Sequence, residues 1–319
     1  TMHATTMVFL FVMPMASAFG NYLLPLQIGA RDVAFPRLNA FSFWCYFAGA
    51  IFVNSSWLLG GTADGGWFMY QPNASVPFSP GNGIDLWGLG LQLTGIASLT
   101  GAINLIVTVV NLRAPGMTLM KVPIFTWMVL VIQFMLLFAM PVITVALFLV
   151  MFSRTFGATF FDVAAGADPL LWQHLFWIFG HPEVYIIVLP GFGIASEVLP
   201  VFSKKPLFGY PLMVFSGIAI GFVGWGVWAH HMFASGIGPI SVAVFSVATM
   251  AIAIPTGVKI VNWTMTMWGG KLRFTVAMMF VISMIIEFTI GGLSGVTHAV
   301  SPSDTQQTDT YYIIAHFHY

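Results

Sequence analysis

The chain is poor in charge. Of 319 residues, only 10 are Lys or Arg and 10 are Asp or Glu, 6% in all, against about 25% in an ordinary soluble domain. With 58% apolar residues and a mean hydropathy of +0.91, a soluble globule of this size could not cover its surface. The charges cancel, so the basic excess that nucleic-acid binding needs is missing. Cysteine is nearly missing too. The single Cys45 excludes a disulfide framework, a zinc cage and an iron–sulfur cluster. Nor is there dyad alternation at the length of a barrel strand, or an internal repeat of the transporter kind.

What is present is long apolar runs. A membrane helix needs about 20 of them in succession, and the runs predict helices near 3–29, 38–60, 86–112, 123–152, 170–201, 208–234, 242–269, 274–297 and from 309 onward. The Gly/Pro/Asn-rich stretch 61–85 reads as loop. The expected fold is therefore all-α, a polytopic transmembrane helix bundle forming one domain over 1–319. Both ends lie inside apolar runs, which predicts a longer polypeptide with at least one further helix on each side. Basic residues gather in alternate loops: Arg31 and Arg37, Arg113 and Lys121, Lys204 and Lys205, Lys271 and Arg273. The intervening loops hold Arg154 with Asp64, Asp85, Asp162, Asp168, Asp304 and Asp309. By the positive-inside rule the first set faces inward, and the first helix runs from outside to inside.

Against this scarcity, 8 histidines are many, and intramembrane ionisable groups are costly enough to be functional by default. Placed by depth at about 1.5 Å per residue, His3, His181, His230, His231, His316 and His318 converge from four helices on the outer half of the membrane. Glu183 and Lys259 sit deeper. His316 and His318 are about 200° apart around a helix and must face different sites. His181 and Tyr185 share a face, with Glu183 on the other side and Pro182 expected to kink the helix between them. His230 and His231 can both reach a metal beside His181, and three imidazoles with an open position suit copper or zinc. A fourth histidine facing the same cavity would hold a heme iron. His174 and His298 read as hydrogen-bonded packing groups. Glu287 receives no role, and Glu197 reads as a charge at the inner end of its helix.

The segments HATTMVFLFVMPM (3–15), WQHLFWIFGHPEVYIIVLPGFG (172–193), WAHHMF (228–233), AIPTGVK (253–259) and DTYYIIAHFHY (309–319) resemble subunit I of the heme–copper oxidases. The His-Pro-Glu-Val-Tyr run resembles the A-type, cytochrome c oxidase-like branch. The likeness covers the chain from that family's second helix into its tenth, about nine of an expected twelve. It implies two hemes of the A type and a copper, CuB. His3 and His318 match the axial ligands of the low-spin heme, and His316 the proximal ligand of the high-spin heme. His181, His230 and His231 match the CuB ligands, Tyr185 the tyrosine cross-linked to one of them (here His181), and Trp228 a residue packed beside the copper. Thr256, Lys259 and Ser196 match the K-type proton path to Tyr185. Asp32, Asn21, Asn39, Asn104 and Ser98 match the D-type path ending at Glu183.

Two positions depart from the pattern. Thr308 stands where the family commonly has a histidine, so of an outer magnesium or manganese site only Asp309 keeps its expected ligand. Ala97 stands where a serine is often found, which shortens or rewires the upper D-type path. The resemblance implies a terminal oxidase that reduces oxygen to water and pumps protons. Its expected partners are membrane lipid, cytochrome c and the other oxidase subunits, notably subunit II with CuA and subunit III. The bacterial plasma membrane is favoured over the mitochondrial inner membrane. A quinol oxidase, a nitric oxide reductase-like enzyme and a cofactor-free transporter are the alternatives.

Overall fold

The computed structural model describes residues 1–319, and its regular structure is all helical, with no strand. In chain order the α-helices are α1 (Met2–Thr5), α2 (Met13–Ile28), α3 (Pro36–Ser55), α4 (Gly83–Asn111), α5 (Ile124–Phe156), α6 (Leu170–Ser203), α7 (Tyr210–Val223), α8 (Pro239–Ala251), α9 (Ala253–Met267), α10 (Val276–Ala299), α11 (Ser301–Gln307) and α12 (Tyr311–His318). Six segments are long and apolar enough to cross a membrane: Met2–Ile28, Gly83–Asn111, Ile124–Phe156, Leu170–Ser203, Pro239–Met267 and Val276–Ala299. The chain is thus an integral, multi-pass membrane protein.

Backbone contacts divide it into two compact units. The first comprises Thr1–Met117 and Ile132–Ile187; the second comprises Thr118–Val131 and Val188–Tyr319. In the first, α3 and α4 pack backbone to backbone. A Cβ on Gly49 would lie 2.7 Å from the Gly90 carbonyl, and one on Gly90 would lie 2.8 Å from the Gly49 carbonyl. Small residues permit this approach where lipid supplies no hydrophobic drive for association. Between α1 and α2 the chain forms a π-helix, Thr6–Val12. Pro14 has no N–H to offer the Leu10 carbonyl four residues back, and the Tyr46 hydroxyl of α3 donates to that carbonyl at 2.8 Å. The 57–82 segment is non-helical, as its composition predicts. Arg154, at the end of α5, gathers it in by donating to both carboxylate oxygens of Asp85 and to the carbonyls of Ala74, Ser79 and Gly81, all at 2.7–3.0 Å.

In the second unit, α7 packs on α9, and α10 packs on α8, α11 and α12. Here three expectations are corrected. The helix expected over 208–234 stops as α-helix at Val223. Gly224 and Gly226, poor helix formers, lead into two 3₁₀ turns, Gly224–Gly226 and Trp228–Met232. The helix expected over 242–269 is broken at Ile252. Pro255 cannot donate to the Ala251 carbonyl, so the ladder loses a rung there. Finally, α11 is a helix where sequence periodicity shows none. Its signals are local, with Pro302 and Asp304 both in the first turn.

Candidate functional site

One helix carries the first three side chains of interest. α6 runs unbroken through Pro182. His181 and Tyr185, one turn apart, meet edge to face with ring centroids 4.6 Å apart. Glu183 is 0% exposed, and neither of its carboxylate oxygens has a hydrogen-bond partner within the chain.

His230 and His231 lie on the 3₁₀ turn Trp228–Met232, their ring centroids 4.2 Å apart. The turn is seated on α8: Trp228 meets Phe245 edge to face at 4.8 Å, and His230 Nδ1 lies 3.0 Å from the Thr249 hydroxyl. That hydroxyl also donates to the Phe245 carbonyl at 2.6 Å. This contact orients the His230 ring on α8 with Nδ1 toward Thr249. His181 belongs to the first unit and His230 and His231 to the second, and each offers one imidazole nitrogen as a ligand atom. Imidazole nitrogens of this kind suit copper or zinc.

The two histidines of α12 have different surroundings. His316 packs against α10. Its Nδ1 lies 2.8 Å from the Gly291 carbonyl and 3.1 Å from the Ser294 hydroxyl, so Nδ1 is the donor and Nε2 the free ligand atom. A Cβ on Gly295 would fall 2.9 Å from the His316 ring, so only glycine lets α12 sit this close. A cavity of ≈ 310 Å³ opens beside His316, lined also by Leu293, Thr297, Tyr312 and Tyr319. The His318 side chain is exposed and donates from Nδ1 to the Ile314 carbonyl at 2.7 Å. His3, on α1, is likewise exposed. Iron ligation through Nε2 fits the donor sets of His316 and His318.

The residues matched to proton paths fall into two sorts. Lys259, on α9, is fully buried, and its Nζ donates to the Met213 carbonyl at 3.0 Å. Ser196 donates to the Phe192 carbonyl and accepts from Trp263 Nε1 at 2.9 Å. Thr256 is half-buried one turn before Lys259. Asp32 is exposed and accepts from the Val33 N–H. Asn39 is half-buried. Asn21 donates to the Ser17 carbonyl, and its Oδ1 is buried without a partner. Ser98 donates to the Thr94 carbonyl. Asn104 is fully buried, and its amide grips the Phe35 backbone at both ends, accepting from N–H at 2.8 Å and donating to C=O at 3.3 Å. Glu197 does more than mark a helix end: its Oε1 accepts the Phe125 N–H and caps α5.

At the start of α12, Asp309 is exposed in a left-handed backbone conformation, φ 61. The better-buried carboxylate nearby is Asp304, 3.8 Å from His298 Nδ1, which itself lies 2.7 Å from Gln307 Oε1. Thr249, Ser294 and Asp304 are the site-proximal residues that sequence reading missed. The first two act across 19 and 22 residues of chain, a separation that carries no local signal.

The comparisons with known proteins agree with one another. The family model described as cytochrome c and quinol oxidase polypeptide I matches residues 1–319. The chain is 55% identical over its whole length to cytochrome c oxidase subunit 1 of Bacillus subtilis and 54% identical to that of Bacillus sp. PS3. It is 51% identical to a probable cytochrome c oxidase subunit 1-beta of Nocardia farcinica. It covers 51%, 52% and 54% of those sequences, so the chain spans about half the length of the curated relatives it matches. In fold it is similar to a chain of a heme-copper terminal oxidase dimer solved by cryo-EM, with TM-score 0.85 at 18% identity, covering 99% of this chain and 56% of that one.

Proposed function

Because the chain belongs to the cytochrome c and quinol oxidase polypeptide I family, we propose that it is part of the catalytic subunit of a terminal respiratory oxidase. The enzyme takes electrons from cytochrome c, reduces oxygen to water and translocates protons across a bacterial plasma membrane. The observations that carry the reading are His181 set edge to face against the Tyr185 phenol on α6 and the paired His230 and His231 on their 3₁₀ turn.

His181, His230 and His231 would hold copper, His316 a high-spin heme, and His3 with His318 a low-spin heme, both hemes of the A type. When bound, these groups supply the electron transfer and the oxygen chemistry. The chain supplies the rest. Thr249 orients the His230 ring, and the Gly291 carbonyl leaves Nε2 of His316 as the ligating nitrogen. Trp228 wedges the histidine turn against α8. Tyr185, beside His181, holds a phenolic proton that its hydroxyl can release together with an electron. Glu183, with both oxygens unengaged, can swing and carry a proton from a path entered at Asp32 and passing Asn21, Asn39 and Ser98. Asn104 borders that path by clamping the backbone at Phe35. Lys259, Thr256 and Ser196 form the second path, toward Tyr185. Subunit II with its CuA centre and subunit III complete the complex, while Asp309, exposed and beside Thr308, is a poor seat for a magnesium or manganese ion.

The test uses the purified full-length complex. Heme bands in its optical spectrum and oxygen uptake with reduced cytochrome c are expected. Glu183→Gln should nearly abolish turnover while both hemes remain bound. A preparation without heme bands would overturn the oxidase reading. Uptake with quinol alone would replace the donor, and normal pumping by the Gln variant would remove Glu183 from the path.

A further inference from the structure

Lys259 is a buried cation with an unusual seat. Its ammonium makes one conventional hydrogen bond, to the Met213 carbonyl of α7 at 3.0 Å. The Met128 thioether stands 3.8 Å away, and the face of Phe192 lies 6.0 Å from Nζ to its centroid. None of these contacts titrates. Met128 reaches the ammonium only because α7 has no side chain at Gly217: a Cβ there would fall 2.3 Å from Met128 Cε, 2.7 Å from Sδ and 3.4 Å from Nζ. Gly217 lies inside a regular helix with no left-handed backbone to explain it, so the notch is what its missing side chain provides. Sulfur is a weak, polarisable acceptor, and methionine is flexible enough to let go.

We propose that Met128 is a positioning residue for Lys259: its thioether, held in the notch at Gly217, keeps the ammonium on the Met213 carbonyl and so sets the position from which Lys259 passes its proton. This rests on the reading of Lys259 as part of a proton path. An electron entering a low-dielectric interior must be matched by a proton, so a displaced lysine should slow reduction of the buried metal centre. Its effect on binding of the electron donor should be nil.

The experiment compares the full-length complex with its Met128→Leu, Gly217→Ala and Lys259→Met variants. Two quantities are read: the anaerobic reduction rate of the high-spin heme by stopped flow, and kcat against KM for reduced cytochrome c. Met128→Leu conserves volume and should leave heme spectra and thermal stability intact. It should still slow heme reduction by about three- to tenfold, with KM unchanged, as expected when a reacting group is misplaced by a fraction of an ångström. Gly217→Ala should slow it likewise, and adding Met128→Val, which empties the notch, should not restore the rate. If Lys259→Met blocks reduction while Met128→Leu reduces at the native rate, the positioning role is overturned. If Gly217→Ala fails to assemble, Met128→Leu decides alone. Native reduction in Lys259→Met would overturn the proton path itself, a different failure.

Discussion

Thr249 shows how much depends on a residue that ligates nothing. Its hydroxyl orients the His230 ring, and partners of this kind are worth about 10–100-fold in metal affinity. Thr249→Val should therefore lower the copper content of the purified complex at limiting copper, read by mass spectrometry, while Thr249→Ser retains it. Equal copper in both variants would mean that the hydrogen bond does not govern ligation. Asp304 supports a prediction about pH. Burial, and then the Asp309 charge, push its carboxyl up from 3.8 to about 6. Between those values the unfolded chain has lost the proton that the folded chain keeps, so stability falls as pH rises from about 4 to about 6 and then levels off. Asp304→Asn should flatten that part of the profile of melting temperature against pH. A slope that persists in the variant would assign it to another group. At this scale the sequence was informative about which residue types are rare. Glu183, Lys259 and the histidines are legible because charge and imidazole are costly in lipid. Their partners Thr249, Ser294 and Gly291 are not, because a threonine, a serine and a glycine in apolar helices are common.

The helices follow from periodic apolarity, and their interruptions follow from particular residues. Pro14, Pro255 and the Gly224–Gly226 pair each remove or weaken a backbone rung, and at each the chain departs from a simple α-helix. The length of an apolar run says only that a helix can cross; it does not say where a proline four residues on leaves a carbonyl bare. The last of these breaks matters most, since it turns the His230–His231 pair from an α-helical face into a 3₁₀ turn braced on α8. The α3–α4 pair depends on the opposite property, glycine inside regular helices. A Cβ on Gly90 would stand 2.4 Å from Val53 Cγ2 and 2.8 Å from the Gly49 carbonyl. The carbonyl is backbone and cannot turn aside. Gly90→Ala should then destabilise the complex by about 1–3 kcal/mol, the usual cost of overpacking, visible as a lower melting temperature in detergent. Gly292→Ala, where a Cβ meets nothing within 4 Å, is the control. Equal melting of the two variants would show that the helix pair has slack.

For the molecule as a whole, the distribution of 10 basic residues predicts its orientation. With Cys45 replaced by serine, Asn82→Cys should react with a membrane-impermeant thiol reagent from the outer side only, and Lys271→Cys from the inner side only; both positions are exposed. The reverse pattern would invert every assignment of inner entrance and outer metal centre. Membrane class was determined by the sequence alone, because lipid forbids unpaired backbone and buried charge regardless of how the helices pack; the number of helices was not, since Gly224, Gly226 and Pro255 divide runs that apolarity alone reads as continuous. The histidines were also visible there, as rare groups in apolar runs. Only the tertiary structure decided which nitrogen of His316 is free, that Asn104 clamps backbone, and that Lys259 rests on one carbonyl beside a thioether. Those facts depend on distances between residues up to 131 positions apart in the chain, and close packing sets such distances where local pattern carries no record of them.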